Sequence, residues 1–301
     1  MNGKTLLVTR SCKISVALRQ LTLRDTESQE QKQVPIEDLE MLVVEHRHVS
    51  ISLPALAELA QANVAVVVCA DNYMPVALCL PMEGQTLQAR VQRAQFGQQH
   101  LQAPKLWAQV VRSKIANQAA VLAIEGQNAL ALERLASKVR PENAQKSEAT
   151  AARKYFSPLF GEDFSRNPDG LFPNDMLNYG YAIVRACMAR NLVGAGLFVG
   201  YGLQHDNQYN AFPLADDMME PYRPMVDWWV RRRIRLGEGD SLMNTTTKQY
   251  LVSLLFMPVV LAGRQYQMHD AMGRTATSLA HCLHKMQDDL LLPTAVLRPD
   301  G

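Results

Sequence analysis

The chain has 301 residues, 48% apolar and 20% charged, which excludes a disordered or fibrous protein and leaves length enough for two domains with separate cores. The formal charge is only +2, but residues 1–87 carry seven Lys/Arg against ten Asp/Glu and residues 88–301 carry 24 against 19, so a polyanion is expected to meet the second part. The most apolar stretch, LVSLLFMPVVLAG, is broken by Pro258 and falls short of the roughly 18 residues a membrane span needs. The N-terminus shows no signal-peptide pattern, so a cytoplasmic protein without membrane contact is expected. Cys12, Cys69, Cys79, Cys187 and Cys282 are odd in number and include no C-x-x-C; they read as small core residues in a reducing compartment.

In chain order, TLLVT, KISVALRQLTLRD and EMLVVEH read as strands, with an acidic-polar turn around TESQEQKQ. Ile14, Val16 and Leu18 share one face, and Leu21 with Leu23 resumes the two-residue period after a slip of one, which predicts a bend or hairpin near Arg19 and Gln20. LPALAELAQAN reads as a short helix, followed by strands VAVVVCA and VALCLPM joined by the turn DNYMP. Residues 1–82 are therefore expected to form a small, sandwich-like, mostly-β domain with one helix, joined by a linker at 83–88 to residues 89–301. From there the period becomes helical, with breaks at RPENAQ, FGEDFSRNPDGLFPND, GYGLQHDNQYNAFP and LGEGDS. The fold class expected is α+β with two domains, the second a large all-α catalytic domain.

Phosphate-binding loops, zinc-protease and serine-hydrolase motifs are absent. GAGLFVG follows a helical segment and reads as a helix–helix turn. His281 and His284 lie one turn apart before Asp288, either as surface groups on a charged helix end or as a metal trio. Arg90, Arg93, Lys105, Arg112 and Lys114 occupy a stretch, residues 84–124, without one acidic residue; Arg223, Arg231, Arg232, Arg233 and Arg235 face only Asp227 in a second. Both are candidate phosphate contacts.

The segment QHDNQYNAFPLADDMMEPYRP crowds acids between apolar helices. Asp216, Asp217 and Glu220 would share one side of a short helix, where their repulsion is relieved either by solvent and the arginines that follow or by a hard divalent cation. His205, in the polar loop just before, could point back onto that helix. Glu148 stands alone in EATAARKYF, sharing a face with Ala152 and Tyr155; it reads as a first-turn helix acid with Ser147 as cap, or as a carboxylate leaving an apolar stripe.

Taken in order, PIEDLEMLVV, LWAQVVRSKIANQAAVL, EATAARKYFSPLFG, FPNDMLNYGYAIVRA and LQHDNQYNAFPLADDMMEPYRPMVD resemble the CRISPR-associated integrase family, the Cas-one proteins, along nearly the whole chain. ADDMMEPYRP resembles the type II, Cas-nine-associated branch. The resemblance implies that Glu148, His205 and Glu220 are catalytic metal ligands for Mg²⁺ or Mn²⁺, with Asp217 as an additional acid. Ala149 and Gln204 stand where relatives often carry Gly and His. It further implies a homodimer through the β domains, the small Cas-two protein as partner in a larger complex, an association with Cas-nine, and double-stranded DNA as substrate. The implied reaction is attack by a DNA 3′-hydroxyl on a phosphodiester of the CRISPR repeat, inserting a new spacer, with hydrolysis at the same site. A non-catalytic DNA-binding scaffold and a hydrolytic branched-DNA repair nuclease are the alternatives.

Overall fold

The computed structural model describes residues 3–71, 74–167, 170–237 and 243–295. Parts of the expected DNYMP turn and of the FGEDFSRNPDGLFPND and LGEGDS breaks lie outside the described residues. The chain divides into two compact units, Met1–Thr86 and Leu87–Gly301.

The first unit contains β1 (Lys4–Val8), β2 (Cys12–Ala17), β3 (Gln20–Asp25), β4 (Gln31–Pro35), β5 (Leu39–Val44), β6 (Ser50–Ile51), α1 (Leu53–Gln61), β7 (Ala65–Cys69) and β8 (Pro75–Cys79). These make two four-stranded sheets, ordered β1-β5-β7-β8 and β4-β3-β2-β6. Strands β1, β5 and β7 run parallel, and Met41, Leu42 and Val43 are consecutively buried, as expected where both faces of a strand are covered. Ile14 and Leu21 from one sheet, Leu42 and Val66 from the other and Leu59 of α1 share one core. Ser52 caps α1 by accepting from the Ala55 amide at 3.4 Å.

Two local expectations change. The β2–β3 hairpin turns at Leu18 and Arg19, with Ala17 opposite Gln20, so it lies one residue earlier than the alternation placed it. Leu18 therefore leaves the inward face of Ile14 and is 95% exposed. The second half of TESQEQKQ is also strand rather than turn: Gln31–Pro35 pairs with β3 as a polar edge, whose side chains carry no apolar period to reveal it.

The second unit is built around α2 (Gln88–Ile124), a 37-residue helix. Against it or one another pack α3 (Leu130–Ser137), α4 (Ala144–Phe160), α5 (Asn174–Gly194), α6 (Pro213–Met219), α7 (Arg223–Arg235), α8 (Thr245–Ser253) and α9 (Met268–Leu283). Trp107, Val110, Val111, Ile115, Gln118, Val121 and Leu122 recur on the buried side of α2 at spacings of one, three and four, so one face of this helix is core over four turns. The all-α expectation is corrected here. Strands β9 (Pro258–Leu261), β10 (Arg264–Gln267) and β11 (Thr294–Ala295) form a small antiparallel sheet in the order β10-β9-β11. The run LLFMPVVLAG lies within the part of the chain expected to be helical throughout. Pro258 opens a strand instead, β-branched Val259 and Val260 continue it, and Ala262–Gly263, both at positive φ, close the hairpin. GAGLFVG ends α5, with the Leu197 amide bonded back to Leu192 at 2.9 Å. Cys12, Cys187 and Cys282 are buried as expected of small core residues, whereas Cys79 is exposed and Cys69 half-buried. Among the described residues no helix is long and apolar enough to cross a membrane.

The β2–β3 turn places two side-chain-bearing residues in the left-handed region, at φ 51° for Leu18 and 60° for Arg19. Each such residue costs roughly 1 kcal/mol or more, a cost that Asn and Gly largely avoid. Replacing them together, Leu18→Asn with Arg19→Gly, should raise the unfolding free energy of this unit by roughly 1–2 kcal/mol. The reading is a higher denaturant midpoint at unchanged slope; an unchanged or lower midpoint would show the turn to be unstrained.

Candidate active site

Three segments far apart in sequence meet at one ammonium group. Lys114, on the buried side of α2, places Nζ 2.7 Å from Glu148 Oε1 and pairs its charge with Glu220 Oε2. Glu148 lies in the second turn of α4; the helix begins at Ala144 after Asn143, so Ser147 is an interior residue bonded to Asn143 rather than the expected cap. Glu220 opens a 3₁₀ turn, Glu220–Tyr222, between α6 and α7. Proline sets that geometry: Pro221 has no amide hydrogen to continue the α6 ladder, and Pro224 suits the first turn of α7. Asn117, one turn along α2 from Lys114, locks the arrangement. Its side-chain amide donates to Pro221 O at 2.8 Å and Pro293 O at 3.0 Å, and its oxygen accepts from the Ala295 amide at 3.1 Å.

The three acids of LADDMMEPYRP do not share one cation. Asp216 accepts from Arg185 Nε at 2.6 Å and from Asn210 at 2.6 Å. Glu220 meets Lys114 with one oxygen and Arg223 Nη1 at 2.7 Å with the other. Asp217 is fully buried and organises the preceding loop: it accepts from the amides of Leu203 at 2.5 Å and Gln204 at 2.9 Å and from His205 Nδ1 at 2.5 Å. Gly202 permits this close packing, since a Cβ there would come within 2.4 Å of His205 O and 2.8 Å of Asp217 Oδ2. Each acid therefore has its own donors, and the repulsion expected of a common face is relieved locally.

Charge states follow from these contacts. Although burial pushes the Glu220 carboxyl up, Arg223 and Lys114 hold it down at about 2, so it stays ionised. The hydrogen bond to Asp217 holds the His205 ring above its ordinary value, with Asp217 and Glu220 adding their charges. Because Asp217 takes Nδ1, Nε2 is the ring nitrogen left for another partner, and a carboxylate on one ring nitrogen is the arrangement that commonly orients a metal-binding imidazole. Glu220 Oε2 is buried and meets the Lys114 ammonium as an ion pair. Two carboxylates brought to one ammonium, with an imidazole on the loop before α6, are donor types that suit Mg²⁺ or Mn²⁺.

The basic candidates separate into groups. Arg90 and Arg93 are exposed on α2, and Arg112, also exposed, donates to Val139 O at 3.0 Å. Lys114 departs from the expectation of a phosphate contact: its side chain is 11% exposed and lies between Glu148 and Glu220. Arg223 serves Glu220 and lies 4.2 Å over the Tyr181 ring. Arg231 and Arg235 pair with Glu125 at 3.4 and 3.1 Å, and Arg232 lies over Trp229. Of the alternative metal trio, Asp288 pairs with Lys105 at 2.9 Å on the surface, and His284 ends α9. Sequence reasoning misses Asn117 altogether and places Lys114 on DNA rather than between the acids; the only signal for either is helical spacing on an acid-free helix.

Beneath the site, Tyr181 donates to the buried Asp227 carboxylate. Burial pushes Asp227 up to about 6, against the Tyr181 hydrogen bond and the charge of Arg223. A carboxyl raised in the fold contributes stability below its unfolded pKa and loses it as pH rises through the folded value. Asp227→Asn keeps an acceptor for Tyr181 and removes the titration. The stability of the parent relative to this variant should therefore fall by roughly 2–3 kcal/mol between about pH 4 and pH 8, most steeply near pH 5, midway between the unfolded and folded values. Denaturant unfolding across that range checks it, and a flat difference would mean that Asp227 is ionised throughout.

Comparison with known proteins gives one consistent assignment. Residues 6–253 match the family described as CRISPR associated protein Cas1. A Neisseria meningitidis protein named CRISPR-associated endonuclease Cas1 is 34% identical over 297 residues, covering 97% of this chain and 96% of that one. Among solved structures, a casposase bound to integration product superposes with a TM-score of 0.80 at 22% identity, over 95% of this chain and 92% of that one. A Cas6-RT-Cas1–Cas2 complex gives 0.77 at 19% identity, over 99% of this chain and 36% of the longer chain. The two structures share the fold, and the match over residues 6–253 together with the relative of nearly equal length shows that the chain belongs to the CRISPR associated protein Cas1 family.

Proposed function

We propose that this chain is the DNA endonuclease and integrase of CRISPR adaptation and that Glu148, His205 and Glu220 are its catalytic ligands. Family membership carries the activity; the residue assignment rests on one observation, the convergence of Glu148 and Glu220 from separate helical segments on a single cation, Lys114 Nζ. Two carboxylates against one ammonium, Glu220 buried and Glu148 half-buried, need a positive partner, and a phosphoryl-transfer site needs a cation at the same place.

A Mg²⁺ or Mn²⁺ ion held by Glu148, His205 and Glu220 would supply a Lewis acid, lowering the pKa of a DNA 3′-hydroxyl and neutralising charge on the phosphate. The chain's own residues prepare that site. Arg223 and Lys114 keep Glu220 ionised, and Asp217 acts as a positioning residue, fixing the His205 ring and the loop that bears it. In strand transfer the 3′-oxygen bonds to phosphorus as the repeat's own 3′-oxygen leaves and takes up a proton. One phosphodiester replaces another, so no nucleotide hydrolysis is needed. Water in place of the hydroxyl gives endonuclease cleavage.

Double-stranded DNA would lie on the basic unit through the exposed Arg90, Arg93 and Arg112, with Arg231, Arg232 and Arg235 as a second group. The solved Cas6-RT-Cas1–Cas2 complex supports Cas2 as partner. A homodimer through the strand-rich unit and an association with Cas9 complete the reading that the family resemblance implies.

Glu148→Ala, His205→Ala and Glu220→Ala should each lower strand transfer of a 3′-hydroxyl duplex into a supercoiled repeat plasmid by more than about a hundredfold, since removing even a group that orients a ligand typically costs ten- to a hundredfold. Duplex affinity, set mainly by phosphate contacts, should stay near that of the parent. A Glu148→Ala protein that integrates at the parent's rate would remove that residue from the ligand set.

DNA affinity should fall with salt. Neutralising Arg90, Arg93 and Arg112 together should flatten the slope of log affinity against log salt by roughly 0.9 for each phosphate that no longer meets an arginine. An unchanged slope would assign these arginines to ordinary solvated helix faces.

A further inference from the structure

Lys114 Nζ occupies the place that a cation shared by the two carboxylates would take. It hydrogen-bonds Glu148 Oε1 at 2.7 Å and forms an ion pair with Glu220 Oε2. Its side chain is 11% exposed and that of Glu220 is 3% exposed, so solvent does little to screen this pair.

On the reading that Glu148 and Glu220 are metal ligands, we infer that Lys114 is a resident counter-cation, which holds the two carboxylates together in the absence of a divalent ion and is displaced when the ion enters. The two cations around Glu220 are suited to different tasks. Arg223 takes the other oxygen, Oε1, at 2.7 Å, and its guanidinium lies 4.2 Å over the Tyr181 ring, so it is fixed on two sides. Lys114 ends in a compact point charge on a flexible stem, which can withdraw without unpacking α2. Asn117, one turn away, keeps α2 tied to Pro221 whether or not the ammonium is in place. An ammonium and a divalent ion repel one another, so they cannot both lie against the same two oxygens. The ion must therefore break the bond to Glu148 and take over the charge opposite Glu220. The site is held assembled at the expense of its affinity for the ion.

The test compares the full-length parent with Lys114→Met, which keeps much of the stem and loses the charge, and with Lys114→Gln. Mn²⁺ binding is measured by calorimetric titration and thermal unfolding is followed in chelator and in saturating Mn²⁺. In chelator both variants should melt below the parent, because the buried Glu220 and the half-buried Glu148 then face each other without their shared cation. In Mn²⁺ the difference should close, and both should bind the ion roughly tenfold tighter or more, since no charge-assisted bond has to be displaced. Unchanged or weaker Mn²⁺ binding would overturn the inference, as would variants that remain unfolded in Mn²⁺, because the ion would then not replace the lysine. Glu148→Gln separates this from the site assignment. If Glu148→Gln binds Mn²⁺ as the parent does, the ion is held elsewhere and the ligand assignment fails. If Glu148→Gln loses the ion while the Lys114 variants bind it like the parent, only the counter-cation role fails.

Discussion

The ion cluster of Lys114, Glu148 and Glu220 is the contact on which the second unit turns. A carboxylate as buried as Glu220 loses several kcal/mol of hydration and is tolerable only with cations on its oxygens. Lys114 and Arg223 supply them, one from α2 and one from the start of α7. That requirement explains the course of the chain around the site: an apolar face on α2 to bury the lysine stem, an α4 register that turns Glu148 inward, and a proline-broken passage from α6 to α7 that lifts Glu220 out of a regular helix.

A second layer makes the first rigid. Asp217 spends its carboxylate on the loop before α6, and the loop in turn holds His205. Arg223 bridges from Glu220 to the ring of Tyr181, whose hydroxyl donates to Asp227. Nearly every charged group named here is thus satisfied by a partner that is itself held, the condition under which a polar site is preorganised rather than assembled by what binds it. The same cluster makes the site sensitive to charge: each ionised group is tuned by its neighbours, so replacing one alters the electrostatics of the rest.

The two units divide the charge of the chain between them, and the basic one carries the catalytic candidates. Structures sharing only 22% and 19% identity with this chain keep its fold, so the architecture tolerates wide substitution of the core as long as volume and patterning persist. The relative at 34% identity over almost the full length is what extends the likeness from fold to family.

Periodicity along the chain was enough to separate a strand-rich unit with one helix from a helical one, because alternation and the 3.6-residue period report local burial. It also marked Glu148, His205, Asp217 and Glu220 as acids and an imidazole out of keeping with their surroundings, and the ordered motifs linked them to a family. It missed β4, whose polar edge has no apolar period, and β9–β11, where Pro258 and two valines begin a strand within the part of the chain expected to be helical. It took Lys114 for a surface phosphate contact. Glu148 lies 34 residues from Lys114 along the chain, and no local pattern records that distance being closed. Residue types and their periods are properties of single segments and are legible one segment at a time. Which charge meets which, and so which lysine is buried between two carboxylates, is decided only when packing brings the segments together and desolvation forces each charge to find a partner.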